Sequence, residues 1–142
     1  MINFFGLKIH PHGVTVHFPS ALYPLAAIFY TLGFFYPQHF FELSTYYVLL
    51  AAVTLTPLAY LTGLYCWRTT YKGFRTPLFD KKLILGALLF ILGAALVAAR
   101  TINPYISYLG GIKAGLYVGG IYLAAILPAP LGYLGGKLVF KE

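Results

Sequence analysis

The sequence predicts an all-α fold, four apolar helices standing in a lipid bilayer as one bundle that makes a single domain over residues 1–142. Three observations predict it. The chain is 60% hydrophobic and 9% charged, whereas a soluble domain carries about 25% charged residues. With so few charges it has no polar shell with which to clad a core in water. Four stretches, 19–37, 43–67, 83–99 and 114–136, contain no Asp, Glu, Lys, Arg or His. Each is near the length a helix needs to cross about 30 Å of hydrocarbon at about 1.5 Å per residue. Every Asp, Glu, Lys, Arg and His falls outside these windows, as expected where a charge at mid-membrane costs on the order of 3 kcal/mol. A β-barrel would instead require alternating apolar and polar strands. These windows are apolar on all sides.

The approach to the first span reads HPHGVTVHFP over residues 10–19 and holds three of the four histidines. Pro11 and Gly13 disfavour a helix before about residue 14. Pro19 suits a first helical turn, where its missing donor is harmless. This places His10 and His12 in a loop and His17 at the helix entrance. Phe34, Phe35, Tyr36, Phe40, Phe41, Tyr46 and Tyr47 bracket the turn between spans one and two as an interfacial belt.

In the second span Pro57 removes an amide donor and releases the carbonyl of Val53; Thr54 and Thr56 are placed to help satisfy it. Tyr65 and Trp67 mark the far end of that span. The third window is short, so its helix is expected to extend a little on both sides. It pairs Ala94 with Ala98 and Ala95 with Ala99. The fourth segment and its approach carry Gly111, Gly115 and Gly119, then Gly132 and Gly136. Small residues at this spacing let helix backbones approach closely, or leave a flat surface for a ring. Pro128 and Pro130 should bend or unwind this span near its end.

Four spans put both termini and the loop between spans two and three on one side. That side holds Lys8, Arg68, Lys72, Arg75, Lys81, Lys82, Lys137 and Lys141, and the other side holds Arg100 and Lys113. The asymmetry predicts cytoplasmic termini in a multi-pass plasma-membrane protein. The net charge of +7 is then explained by lipid head groups rather than nucleic acid. One cysteine, Cys66, allows no intrachain disulfide.

The histidines allow two kinds of chemistry. Imidazole is the usual axial ligand of b-type haem, so His10 or His17, with His12 nearby, would hold one iron at the membrane edge, completed if necessary by a partner subunit. Lys72, Arg75 and Lys82 would then meet propionates or anionic head groups. Alternatively the three imidazoles cap the helix, or contact a quinone or a lipid head group. At the opposite edge His39 and Glu42 are three apart and neighbours on a helix, either a proton relay beside a quinone or a solvated interfacial pair. No phosphate-cradling loop, paired carboxylates or nucleophile elbow supports soluble enzyme chemistry. No charge lies inside a span to couple ions in a transporter.

The opening HPHGVTVHFPSALYPLA, the LTGLYCW that ends span two, FDKKLILG at the start of span three and the closing GYLGGKLVF together resemble the membrane family termed domain of unknown function 2231. His10, Pro11, His17, Phe18 and Pro19 match its opening motif. The resemblance covers nearly the whole chain. It implies a four-helix membrane protein and, for some members, association with haem or respiratory electron transfer. The expected function is a non-catalytic electron-transfer subunit holding a b-type haem or quinone. The alternative is a cofactor-free structural subunit that docks other membrane subunits, or further copies of itself, through glycine faces.

On a Cys66→Ala background, Lys72→Cys and Lys113→Cys should react with an impermeant maleimide from opposite faces of a sealed vesicle. Labelling from the same face would refute the four-span arrangement.

Overall fold

The structure, a computed structural model, describes residues 2–4, 7–9, 11–36 and 39–139, with side chains described over 12–36 and 39–138. A short antiparallel pair, β1 (Ile2–Phe4) and β2 (Leu7–Ile9), precedes the helices, with Ile2 opposite Ile9. Helix α1 spans Pro11–Phe35, α2 His39–Thr69 and α3 Pro77–Ile102. Helices α4 (Gly111–Ile126) and α5 (Pro128–Val139) together make the fourth span. All four spans are long and apolar enough to cross a bilayer. They close a ring in which α1 packs most extensively on α2, α3 lies against α2, and the α4–α5 pair closes onto α3 and α1.

Two boundaries differ from expectation, each for a local reason. Helix α1 starts at Pro11, not after residue 14. Proline at the first helical position loses nothing, because that N–H has no partner in a helix anyway. His12 is therefore helical, His17 is well inside the helix, and Pro19 and Pro24 are interior prolines. Helix α3 begins six residues before the apolar window. Thr76 caps it by accepting from the Phe79 amide at 3.2 Å, Pro77 follows the cap, and Asp80 lies in the first turn. That stabilised start carries Lys81 and Lys82 onto the helix. In the fourth span the APAP prolines interrupt the hydrogen-bond ladder at Leu127, between α4 and α5, while Leu127 keeps helical dihedrals.

The core runs along the bundle axis through Tyr23, Ala26, Leu49, Ala52, Ile121 and Ala124, none with measurable exposure. Tyr23 reaches across from α1, sharing a hydrogen bond with Thr56 on α2 (3.2 Å). Gly93 on α3 makes that reach possible: a Cβ there would fall 2.6 Å from the Tyr23 hydroxyl and 2.8 Å from a Val53 methyl. Gly120 similarly admits Leu96. The glycines singled out by their spacing do something else. At Gly111, Gly115, Gly119, Gly132 and Gly136 a Cβ would meet nothing within 4 Å, so this stripe faces outward. Thr54 and Thr56 both hydrogen-bond within α2. Each bonds four residues back, to Leu50 and Ala52.

The largest departure is at the edge where α1 gives way to α2. Glu42 is buried and is held by Arg100, from the last turn of α3, through two parallel hydrogen bonds; Nη2 donates to Oε2 at 2.7 Å and Nε donates to Oε1. The Arg100 guanidinium also lies 5.7 Å from the Tyr46 ring centre. His39 remains exposed, with Nδ1 3.8 Å from Glu42 Oε2. The expected solvated His39–Glu42 pair is thus replaced by a buried Glu42–Arg100 pair, because the carboxylate finds a bidentate partner that sequence distance concealed.

Arg100→Met should lower stability in detergent by about 3–5 kcal/mol, since it strands a buried carboxylate, and the double variant Glu42→Leu/Arg100→Met should recover most of that loss. Thermal or denaturant unfolding of the three proteins checks it.

Candidate functional site

At the basic end of the bundle the helices enclose a cavity of about 400 Å³. Its walls come from the first turns of α1, the second half of α2, the 70–76 turn, the first half of α3, and α5. Most of the lining is apolar, with Tyr60, Phe79, Leu83, Leu89 and Leu131 among it. Trp67 stacks on Phe79 with ring centres 5.0 Å apart and planes 15° from parallel. The Trp67 indole donates to the Phe74 carbonyl at 2.9 Å, tying α2 to the turn that follows it. That turn uses two left-handed residues, Lys72 (φ 51°) and Gly73 (φ 72°).

The polar end of the cavity is formed by His12 and Lys82. Because α1 begins at Pro11, His12 stands on its first turn and faces α2. Its Nδ1 lies 3.1 Å from the Ala59 carbonyl oxygen, and its Nε2 lies 3.2 Å from Lys82 Nζ. One neutral tautomer satisfies both contacts: the proton on Nδ1 is donated to Ala59, and Nε2 accepts from the ammonium. One turn on, Thr15 and Thr62 share a hydrogen bond of 2.7 Å that fixes α1 against α2.

Two glycines make room for this pair. A Cβ at Gly63 would stand 3.0 Å from His12 Cε1, and one at Gly135 would stand 3.1 Å from Lys82 Nζ. Neither belongs to the outward stripe. Gly63 lies in the LTGLYCW string and Gly135 in GYLGGKLVF, while Lys82 lies in FDKKLILG. Three segments far apart in the chain therefore meet around one imidazole.

The other expected site residues are distributed differently. His10 lies outside the described residues. His17 is exposed and does not line the cavity. Lys72 does line it, whereas Arg75 is engaged with Asp80 at 3.5 Å. His39 and Glu42 lie at the far end of α2. Cys66 is buried and contributes to the cavity wall. Among the described residues no group of three or more His, Cys, Asp or Glu is placed to hold a metal ion. Sequence reasoning missed Gly63, Gly135 and the inward direction of His12. The available signal was that both glycines depart from the four-residue glycine spacing.

The architecture is that of a multi-pass membrane protein, four spans around an apolar cavity with a cationic polar end at one membrane edge. More specifically, residues 6–142 match the family described as predicted membrane protein DUF2231, and the chain belongs to that family. No curated protein and no solved structure matches it.

Alanine at a helical glycine ordinarily adds up to about 1 kcal/mol. Gly135→Ala should keep that gain, because the atom it meets is the far end of a flexible lysine. Gly63→Ala should lose it by pushing a hydrogen-bonded ring, leaving the two variants about 1–2 kcal/mol apart in detergent unfolding.

Proposed function

We propose that this chain is a non-catalytic membrane subunit that holds an amphiphilic ligand in the cavity. The ligand's apolar part would lie between Tyr60, Trp67 and Leu89, and its polar end would meet Lys82. The observation that carries this reading is the convergence of an ammonium and an imidazole at one end of an otherwise apolar cavity. An ammonium has three protons, and the contact with His12 uses one of them. Sites for small ligands are commonly apolar hollows with a few convergent polar groups. The excess of basic residues at this end supports a cytoplasmic orientation for it.

Electron transfer is the second reading, and the stacked Trp67–Phe79 pair lining the same cavity as His12 favours it. The ligand is then a quinone whose carbonyl accepts from Lys82. A b-type haem fits in part. His12 already donates Nδ1–H to a carbonyl, as ligating histidines do, so Nε2 would serve as one axial ligand once Lys82 withdraws, with Lys72 near a propionate. A second imidazole for the same iron is not placed among the described residues, and a partner subunit would have to supply it. The structural-subunit alternative rests on the outward stripe of Gly111, Gly115 and Gly119, which suits close packing against another membrane subunit or a second copy.

The test is to purify the chain from membranes in mild detergent. A reduced-minus-oxidised spectrum and mass spectrometry of an organic extract are then recorded for wild type, His12→Ala and Gly63→Leu. The cavity reading expects an amphiphile near one per chain that is lost in Gly63→Leu, which fills the space beside His12. A Soret band lost in His12→Ala identifies haem, and a quinone in the extract identifies the quinone form. An extract from wild type no richer than that from Gly63→Leu overturns the reading.

A further inference from the structure

Lys82 is half-buried in the bundle, and among the described residues no carboxylate stands beside it. The chain contains three carboxylate side chains, Glu42, Asp80 and Glu142. Glu42 is bound to Arg100 at the opposite end, and Asp80 is engaged with Arg75 outside the cavity. Glu142 lies outside the described residues. Among the described residues no carboxylate lines the cavity, and a second cation, Lys72, stands at its wall. His12 offers a lone pair but no charge in the tautomer that satisfies its contacts.

A lysine at a membrane edge ordinarily extends its ammonium to water, with its stem lying along apolar surface. The neighbouring Lys81 is exposed in that way. Lys82 instead turns between α1, α2 and α5, into a space that the missing side chain of Gly135 keeps open. An ammonium brought into apolar surroundings without a counter-ion is strongly unfavourable, and an anion placed on it removes the penalty through charge-assisted hydrogen bonds.

Resting on the cavity reading above, we infer that the ligand is an anionic amphiphile, an apolar chain or ring ending in a carboxylate or phosphate that sits on Lys82. A volume of about 400 Å³ falls within the range of small-molecule sites, roughly 300–1,000 Å³. The same head chemistry is offered by free monoacyl acids and by bilayer phospholipids of the phosphatidate type.

The test uses the full chain in detergent micelles, with palmitate, hexadecyl phosphate, hexadecanol and dioleoyl phosphatidate as probes, read by equilibrium dialysis. The two single-chain anions should bind wild type roughly tenfold or more tighter than the alcohol. Lys82→Gln should bring them down to the alcohol's level, and Lys82→Arg should retain the preference. Competition by phosphatidate identifies the bilayer as the source; single-chain binding that phosphatidate does not displace identifies a free acid. Equal binding of acids and alcohol, or a preference that survives Lys82→Gln, overturns the inference. If the alcohol alone binds, and Gly63→Leu abolishes it, the cavity reading stands while the anion falls. If no probe shows binding that depends on Gly63, both fall.

Discussion

Inside hydrocarbon a peptide N–H or C=O left unpaired costs several kcal/mol, so each span must close its own hydrogen bonds or borrow a partner from a neighbouring helix. Prolines are the places where this chain breaks that closure. Pro19 and Pro24 lie within α1, Pro57 within α2, and the prolines at 128 and 130 split the fourth span into α4 and α5. Threonine hydroxyls meet the same constraint from the other direction. Thr31, Thr54, Thr56, Thr62 and Thr101 each donate to the carbonyl four residues back, so these five hydroxyl protons are paired within their own helices. Four of these also reach a neighbouring helix: Thr31 with Tyr122, Thr56 with Tyr23, Thr62 with Thr15 and Thr101 with Tyr46. The polar atoms that satisfy one helix thus serve to orient the next.

The same lack of solvation acts on the ions, and the bundle answers it differently at its two ends. At one end Glu42 and Arg100 are buried together, each neutralising the other across α2 and α3. That pair is joined by two parallel charge-assisted hydrogen bonds. At the other end Lys82 is turned inward beside His12, with no carboxylate among the described residues, in a cavity whose remaining walls are mostly apolar and aromatic. A closed electrostatic pair suits a structural clasp, and an open one suits recognition.

Glycine has two roles here. Gly93 and Gly120 are filled by side chains from neighbouring helices, and Gly63 and Gly135 by the two polar groups of the cavity. The outward stripe along α4 is filled by nothing in this chain. Spacing by four residues identified only the stripe, because an internal contact needs one small residue opposite one large one and carries no repeat. Membership of the DUF2231 family agrees with the membrane architecture.

The number of spans, their approximate limits, the break at APAP and the crowding of cations toward one edge were legible in the sequence. Each follows from a one-dimensional property, the exclusion of charge from about 20 consecutive residues or the loss of an amide donor at proline. The start of α1 is not legible, because Pro11 reads as a breaker in the sequence while its missing donor makes proline harmless at a first turn. What the tertiary structure alone decided is which distant groups meet. It brought Arg100 to Glu42 across 58 residues and Lys82 to His12 across 70, with Gly63 and Gly135 clearing the space. Hydrophobic segregation fixes how deep a residue lies in the bilayer, but its direction around the helix axis is set by packing against neighbours, and pairing of charges depends on that direction.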